Sequence, residues 1–205
     1  MFAAQLAARY DRVAPTWGSK IARLGYPAAY GDLVTAADIP WQLGPCLDFG
    51  CGSGALSEAM ASSHDIARID LLDVSDAMLA EAGRTLGRAG ARVGNTYRDL
   101  AELNSATGRY DVILAGHVIE HFDNPAEILA ALSRFLAPEG TLLLAVSRPH
   151  WCTALLRTLW QHRAYAPEAV LSWGDAAGLK GRAIPFVAGP PSRTSMGYVF
   201  LGKAR

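Results

Sequence analysis

Residues 47–57 read LDFGCGSGALS, and this stretch decides the fold of the chain. Residues 46–49 are mostly apolar, as expected at the end of a buried strand, and the three glycines that follow allow a sharp turn. Residues 55–62 then begin a helix whose free N–H groups point back at the turn. A strand, a glycine-rich turn and a helix in this order are typical of nucleotide sites in open α/β sheets.

The spacing of the glycines is compatible with two kinds of ligand. Gly50, Gly52 and Ala55 satisfy the G-x-G-x-x-A pattern of dinucleotide sites, although this pattern alone is a weak signal. Gly54 adds a third glycine, and Asp48 lies two residues before the first. A carboxylate there would repel a pyrophosphate but would suit a ligand that carries an amino group. The sequence therefore favours an amino-acid-bearing nucleoside.

Four motifs resemble those of the class I S-adenosylmethionine (SAM)-dependent methyltransferases. Residues 48–54 match the D-x-G-x-G-x-G motif, and DVSDAML at 73–79 resembles the second motif of that family. VIEH at 118–121 resembles the V-L-E-H turn, and PEG at 138–140 the L-x-P-G-G turn, with glutamate in place of the first glycine. The resemblance is strongest to the quinone-biosynthesis and small-molecule methyltransferases with a domain of the type 11 or 12 kind.

The order of predicted elements gives the fold class. Five alternating β/α units followed by two strands predict a Rossmann-like, seven-stranded, mostly parallel sheet with an antiparallel last strand and helices on both faces. We expect one domain, in which residues 1–40 form an N-terminal helical lid and residues 41–205 the SAM-binding core. Residues 150–178 are expected to be a helical insertion on the substrate side. Pro15 is expected to end the first helix.

The resemblance also implies a set of cofactor contacts. Asp73, at the end of the second strand, would accept hydrogen bonds from both ribose hydroxyls. Met78 would pack on the adenine and Asp99 would accept from its amine, although Met78 also suits a protein core and Asp99 a helix cap. The residues implied to contact SAM or its product S-adenosylhomocysteine (SAH) are Tyr10, Asp48, Gly50, Cys51, Gly52, Gly54, Asp73, Val74, Met78, Asp99, Leu100, Gly116 and His117.

Three histidines are candidates for a general base. Methyl transfer needs an in-line nucleophile, and a base when the acceptor is a hydroxyl or an ammonium group. His117, His121 and His150 follow the fourth and fifth predicted strands and could serve, while His121 and His150 could instead cap or pack neighbouring helices. The H-x-x-E-H pattern of residues 117–121 lies in a turn rather than a helix, which excludes a zinc protease. The resemblance includes methyltransferases that bind a divalent ion through E-x-x-E-H, but His117 replaces the first glutamate and we expect no metal.

Length, composition and charge exclude or disfavour several other classes of protein. The 205 residues suit one domain, no apolar run reaches about 18 residues, and the start lacks a basic segment, so neither a membrane span nor a secretory signal is expected. Cys46, Cys51 and Cys152 are an odd number without metal-ligand spacing, which favours a reduced, cytoplasmic protein. A net charge of zero disfavours nucleic acid. Residues 151–205 hold 7 Lys+Arg against 2 Asp+Glu, which suits an acidic substrate, peripheral lipid contact or an ordinary solvated face.

The sequence thus predicts a SAM-dependent methyltransferase that acts on an oxygen or nitrogen of a small, hydrophobic or aromatic molecule, as a monomer or homodimer. The aromatic N-terminal segment and the region of Trp151 and Trp160 favour an apolar substrate. No Asn-Pro-Pro-Tyr or Asp-Pro-Pro-Tyr follows the fourth strand, which disfavours nucleobase amines. Two alternatives stay open: an NAD-dependent oxidoreductase and a SAM-binding accessory protein without catalysis.

Overall fold

One sheet of seven strands organises the computed structural model, which describes residues 2–103, 110–150, 163–187 and 189–202. Its strands are β1 (Gln42–Phe49), β2 (Asp65–Leu72), β3 (Val93–Tyr97), β4 (Tyr110–Gly116), β5 (Leu136–Ser147), β6 (Lys180–Pro185) and β7 (Ser195–Leu201). Their order in space is β3-β2-β1-β4-β5-β7-β6. The first five strands run parallel, and β7 is antiparallel to both β5 and β6. The predicted sheet with an antiparallel last strand is confirmed.

Helices cover both faces of this sheet. They are α1 (Phe2–Arg23), α2 (Tyr26–Ala37), α3 (Ala55–Ala61), α4 (Asp76–Arg88), α5 (Pro125–Ser133), α6 (Pro167–Ala176) and α7 (Pro191–Thr194), with 3-10 turns at Leu100–Glu102 and Ile119–His121. Successive residues of β1 show the two faces: Cys46 belongs to the core cluster beneath α2, α3 and α4, and Leu47 to the cluster beneath α5 and α6. Side chains of neighbouring residues in a strand point to opposite faces, so a strand covered on both sides must be apolar throughout.

The first helix is longer than expected. The prediction that Pro15 ends it is wrong, because α1 continues to Arg23 with Pro15 in its interior. An internal proline removes one backbone hydrogen bond and costs a helix about 3 kcal/mol. Tertiary contacts offset this cost: Ala14 is buried, Tyr10 meets the His121 ring edge to face at 5.8 Å, and the Asp11 carboxylate accepts a 2.5 Å hydrogen bond from the Ser75 hydroxyl before α4. Packing therefore decides the extent of α1.

The second helix is part of the main core. Tyr30, Leu33 and Val34 of α2 are buried in one cluster with Leu143 of β5 and Val199 of β7. Of residues 1–40, α1 therefore lies outermost while α2 packs against the sheet. Residues 151–162 lie outside the described part of the chain, so Cys152, Trp151, Trp160 and the first half of the expected insertion at 150–178 are not described.

A bulge interrupts β5 beside β4. The pairing of these strands shifts between Tyr110 and Val112, and Glu139 in the shifted part of β5 has a φ of 60°. This is the position at which the family pattern has glycine. Left-handed backbone brings the Cβ close to the following carbonyl oxygen, which costs about 1–2 kcal/mol for a residue other than glycine. The exposed Glu139 thus carries backbone strain without burying its side chain.

Replacing Glu139 by glycine should stabilise the fold. We expect Glu139→Gly to raise the free energy of unfolding by about 1 kcal/mol, because the steric cost is removed while glycine's greater freedom in the unfolded chain offsets part of the gain. Urea unfolding followed by circular dichroism measures this. Glu139→Ala is the matched control, since alanine keeps the Cβ. If Glu139→Ala raised the free energy of unfolding equally, the effect would come from loss of the carboxylate, and the proposed backbone strain would be refuted.

Candidate functional site

The glycine turn after β1 requires glycine. Gly50, Gly52 and Gly54 have φ values of 69°, 50° and 82°, in the left-handed region. A Cβ on Gly50 would lie 2.3 Å from Cγ2 of Val118, and a Cβ on Gly54 would lie 3.0 Å from Cα of Ala82. The first contact brings the turns that follow β1 and β4 together, and the second seats the start of α3 on α4. The turn is therefore fixed by packing as well as by backbone conformation.

A cavity of about 300 Å³ opens at the carboxyl ends of β1, β2 and β4. The neighbours of β1 are β2 and β4, so the connections leave the sheet in opposite directions here, and open α/β sheets bind ligands at such a point. The core side of the cavity is lined by Asp48, Phe49, Gly50, Cys51, Gly52, Ser53, Ala55, Leu56, Leu72, Asp73, Val74, Gly116, His117, Val118, His121, Phe122 and Ser147.

Two buried acids face this cavity from the ends of β1 and β2. Asp48 accepts a hydrogen bond from the Ser57 hydroxyl at 2.6 Å, and Asp73 accepts from the backbone N–H groups of Gly52 and Ser75, both at 2.9 Å. Burial raises the pKa of Asp48 to about 7 because the charged carboxylate loses hydration, and the hydrogen bond from Ser57 opposes this only in part. Burial raises the pKa of Asp73 as well. The two acids expected to flank the glycine turn do share one cleft.

The outer wall of the cavity comes from the first two helices and is largely aromatic. The Tyr10 hydroxyl lies 3.0 Å from Nε2 of His121, and the Tyr26 ring meets the His117 ring edge to face at 5.1 Å. The Lys20 ammonium lies 5.3 Å above the Trp17 ring, within the range of a cation–π contact. The residues that form this wall are Leu6, Tyr10, Trp17, Lys20, Ile21, Leu24, Tyr26 and Tyr30.

The three candidate histidines are not equivalent. His117 and His121 line the cavity, whereas His150, three residues after β5, does not. Nδ1 of His117 lies 3.1 Å from the buried carboxylate of Glu120. Within the described residues, no group of three or more His, Cys, Asp or Glu side chains could hold a metal ion. The residues 117–121 therefore bring an imidazole and a carboxylate together at the cavity.

Some of the expected cofactor residues lie outside the cavity lining. Met78 is fully buried in α4, and the Asp99 carboxylate accepts from the N–H groups of Ala101 and Glu102, at 2.7 and 3.2 Å, which caps the 3-10 turn there. Met78 thus packs in the core and Asp99 caps a helical turn, which are the structural alternatives that the sequence also allowed. The expected site residues that do not line the cavity are Gly54, Met78, Asp99, Leu100 and His150.

The sequence did not indicate three polar residues that line the cavity: Lys20, Ser53 and Ser147. Ser147 ends the apolar run of β5, so its position at the carboxyl end of a central strand was a usable signal. Lys20 reaches the cavity only because α1 continues beyond Pro15. No local pattern could have placed it there.

Comparison with known proteins agrees with this geometry. Residues 47–142 match the family model described as a methyltransferase domain. A ubiquinone biosynthesis O-methyltransferase of Caulobacter sp. (strain K31) is 33% identical over 102 residues, which cover 48% of this chain and 39% of that relative. The chain therefore spans less than half of that relative's length.

Two solved structures share the fold. Magnesium protoporphyrin IX methyltransferase (ChlM) from Synechocystis PCC 6803, with bound SAH, has a TM-score of 0.69 and 17% identity, and the match covers 91% of this chain and 88% of that one. The N-methyltransferase NodS from Bradyrhizobium japonicum WM9, in complex with SAH, has a TM-score of 0.63 and 18% identity, with 87% and 86% covered. Both structures hold the demethylated product of SAM, the cofactor that the motifs of this chain imply. Residues 47–142 of this chain are thus similar to a methyltransferase domain, and the chain shares the fold of these two solved methyltransferases.

Proposed function

We propose that this chain binds SAM in the cavity and transfers its methyl group to an oxygen or nitrogen of a small, hydrophobic or aromatic molecule. One observation carries this proposal: Asp48 and Asp73 flank a glycine turn in a single cleft at the switch point of the sheet. A pyrophosphate would meet two carboxylates there, whereas a nucleoside with an amino acid offers hydroxyl and ammonium donors.

Different residues around the turn are proposed to contact different parts of the cofactor. We expect Asp73 to accept hydrogen bonds from the ribose hydroxyls and Asp48 to attract the ammonium of the methionyl part. Tyr10, Gly50, Cys51, Gly52, Val74, Gly116 and His117 form the surrounding surface. The resemblance also implies contacts from Gly54, Met78, Asp99 and Leu100, but these four residues lie outside the cavity lining. SAM supplies a methyl group bound to a positively charged sulfur. The methyl carbon is electrophilic without help from the protein.

The acceptor side of the cavity suits an apolar molecule. Trp17, Tyr26, Tyr30 and Phe122 provide flat surfaces that exclude water and orient a planar acceptor. His117 lines the same space and can take the proton of a hydroxyl acceptor. The name of the Caulobacter relative supports oxygen as the acceptor atom, and that of NodS supports nitrogen.

We further propose that α1, the outer part of residues 1–40, closes the site, and that the protein acts in the cytoplasm as a monomer or homodimer without nucleic acid. The wall that α1 contributes to the cavity supports the first part. The described residues include no helix that is both long and apolar enough to span a bilayer.

The cofactor is tested by calorimetric titration with SAM, SAH and NAD. We expect SAM and SAH to bind and NAD not to bind. Asp73→Asn should raise the Kd for SAM about 10- to 100-fold, because hydrogen bonds to a charged group contribute about 1.5–3 kcal/mol. Asp76→Asn is the control, since Asp76 is exposed and pairs with Arg98. Binding of NAD alone would favour the oxidoreductase, and an unchanged Kd in Asp73→Asn would refute the assigned contact.

The acceptor is tested with two probes that differ in the nucleophile. Incubation with SAM and either 4-hexylcatechol or 4-hexylaniline, followed by mass spectrometry, distinguishes transfer to oxygen from transfer to nitrogen. We expect one of the two to gain a methyl group. A protein that binds SAM but methylates neither these probes nor shorter phenols and amines would instead be an accessory subunit.

The raised pKa of Asp48 predicts a pH dependence of SAM binding. A carboxyl with a pKa of about 7 is mostly protonated at pH 5.5 and largely ionised at pH 7.5. An α-amino group is still mostly protonated over this range. Only the ionised carboxyl attracts the ammonium of SAM, so we expect the Kd to fall about tenfold as the pH rises from 5.5 to 7.5. Calorimetry on wild type and Asp48→Asn checks this, and an equal slope in the variant would contradict it.

Removal of α1 should cost activity more than stability. Deleting residues 1–24 removes one wall of the cavity and leaves the buried face of α2 in the core. We expect methylation of the better probe to fall at least about tenfold, because water enters the site and the acceptor loses its orientation. Far-ultraviolet circular dichroism and thermal unfolding report on the remaining fold. Full turnover by the shortened protein would show that α1 is not a lid.

A further inference from the structure

A buried carboxylate lies behind the cavity, between β5 and the turn that carries His117. We propose that this residue, Glu120, is a positioning residue that holds neutral His117 with its proton on Nδ1 and its lone pair on Nε2. The inference rests on the proposed function and deepens it, because it selects His117 from the three candidate histidines as the general base.

The position of Glu120 is fixed by the sheet. Its side chain is buried, and its Oε1 accepts a 2.7 Å hydrogen bond from the backbone N–H of Ser147 at the end of β5. The same oxygen lies 3.1 Å from Nδ1 of His117. If Glu120 turned away, the buried Ser147 N–H would lose its acceptor, which is unfavourable. The carboxylate therefore stays beside the imidazole.

The contact with Glu120 decides which nitrogen of His117 carries the proton. A neutral imidazole has one N–H donor and one acceptor nitrogen, and a carboxylate is an acceptor only. Beside an ionised Glu120, an unprotonated Nδ1 would direct its lone pair at the carboxylate oxygen, so this contact favours the hydrogen on Nδ1. The Ser147 hydroxyl lies 3.3 Å from Nδ1 and could select the other tautomer by donating to it. The shorter contact to the charged group outweighs this.

The backbone of His117 holds the ring in this arrangement. His117 has a φ of 56°, in the left-handed region that residues with a Cβ rarely adopt. Its N–H donates to the carbonyl of Ala145 at 2.7 Å, which ties the turn to β5. Strained backbone is enriched at active sites and ligand sites, where it can fix the direction of a side chain. Here it places the imidazole between Glu120 and the Tyr26 ring at the cavity.

The other two candidate histidines lie in different positions. Nε2 of His121 lies 3.0 Å from the Tyr10 hydroxyl, so this nitrogen faces α1. His150 does not line the cavity. His117 combines a position at the cavity with a 3.1 Å contact to a buried carboxylate.

The proton balance of the reaction explains the need for Glu120. As a hydroxyl acceptor forms its bond to the methyl carbon, the S–C bond breaks and its electron pair stays on sulfur. The hydroxyl proton passes to Nε2 of His117, which becomes an imidazolium. An ionised Glu120 carboxylate would stabilise this new positive charge. The positive charge thus moves from the sulfur of SAM to the His117 ring. There the Glu120 carboxylate already lies beside it.

The test measures the tautomer directly. Nitrogen-15 NMR of the imidazole, assigned with His117→Asn, should show Nδ1 protonated in the wild-type protein at a pH where the ring is neutral. Glu120→Gln should keep this tautomer, since an amide oxygen can accept from Ser147 and His117 in the same way. Glu120→Met removes the acceptor, so the proton should redistribute toward Nε2. Asp70→Asn, which alters another fully buried carboxylate, should leave the His117 signals unchanged.

Activity provides the second readout. With the better of the two probes, Glu120→Met should lower kcat at least about a hundredfold, the usual contribution of general base catalysis, and change the Kd for SAM less than about twofold. An Nε2-protonated wild-type ring would overturn the proposal, even if the methionine variant fails to fold. The same tautomer in wild type and Glu120→Met would also overturn it. Absence of SAM binding would instead refute the proposed function, and the spectra would still report on Glu120.

Discussion

The rest of the site depends on the close approach of Gly50 and Val118. The first belongs to the turn after β1, which bounds the proposed cofactor site, and the second to the turn after β4, which carries His117 and Glu120. The absence of a Cβ on Gly50 sets the distance between these turns, because even a methyl group there would overlap Val118. An acceptor must meet the methyl donor held by one turn and the base held by the other at the same time, so their separation must be fixed. One steric contact therefore aligns the two halves of the proposed chemistry.

The first helix connects the same two halves from outside. Asp11 accepts from the Ser75 hydroxyl, and the Ser75 N–H in turn donates to Asp73, so α1 is joined to the acid at the end of β2 through two hydrogen bonds. One residue earlier, Tyr10 reaches His121 on the turn after β4. Neighbouring residues of one helix thus contact both sides of the cavity. The position of α1 is coupled to the geometry of the site through these contacts.

Local chemistry explains what the sequence could predict. The glycine turn, Asp48 and Asp73 are encoded within short segments. The alternation of apolar strand segments with helical segments predicted the sheet. Glu139 was recognisable as a departure from a glycine pattern, and its left-handed backbone explains that pattern. The extent of α1 and the contact of Glu120 with the Ser147 N–H depend on residues far apart in the chain, so no local pattern contains them. Asp99 shows that a local motif can also be ambiguous, because the same short motif fitted both an adenine contact and a helix cap.

The proline inside α1 has a mechanical consequence. Pro15 lies between the residues that fasten this helix to the core, Tyr10 and Asp11, and those that cover the cavity, Trp17 and Lys20. A proline leaves the helix one backbone hydrogen bond short, so its resistance to bending is lowest there. Gly25 lies just beyond the other end of the covering half. The part of α1 that covers the cavity with Trp17 and Lys20 is thus bounded by the two positions at which its backbone resists bending least.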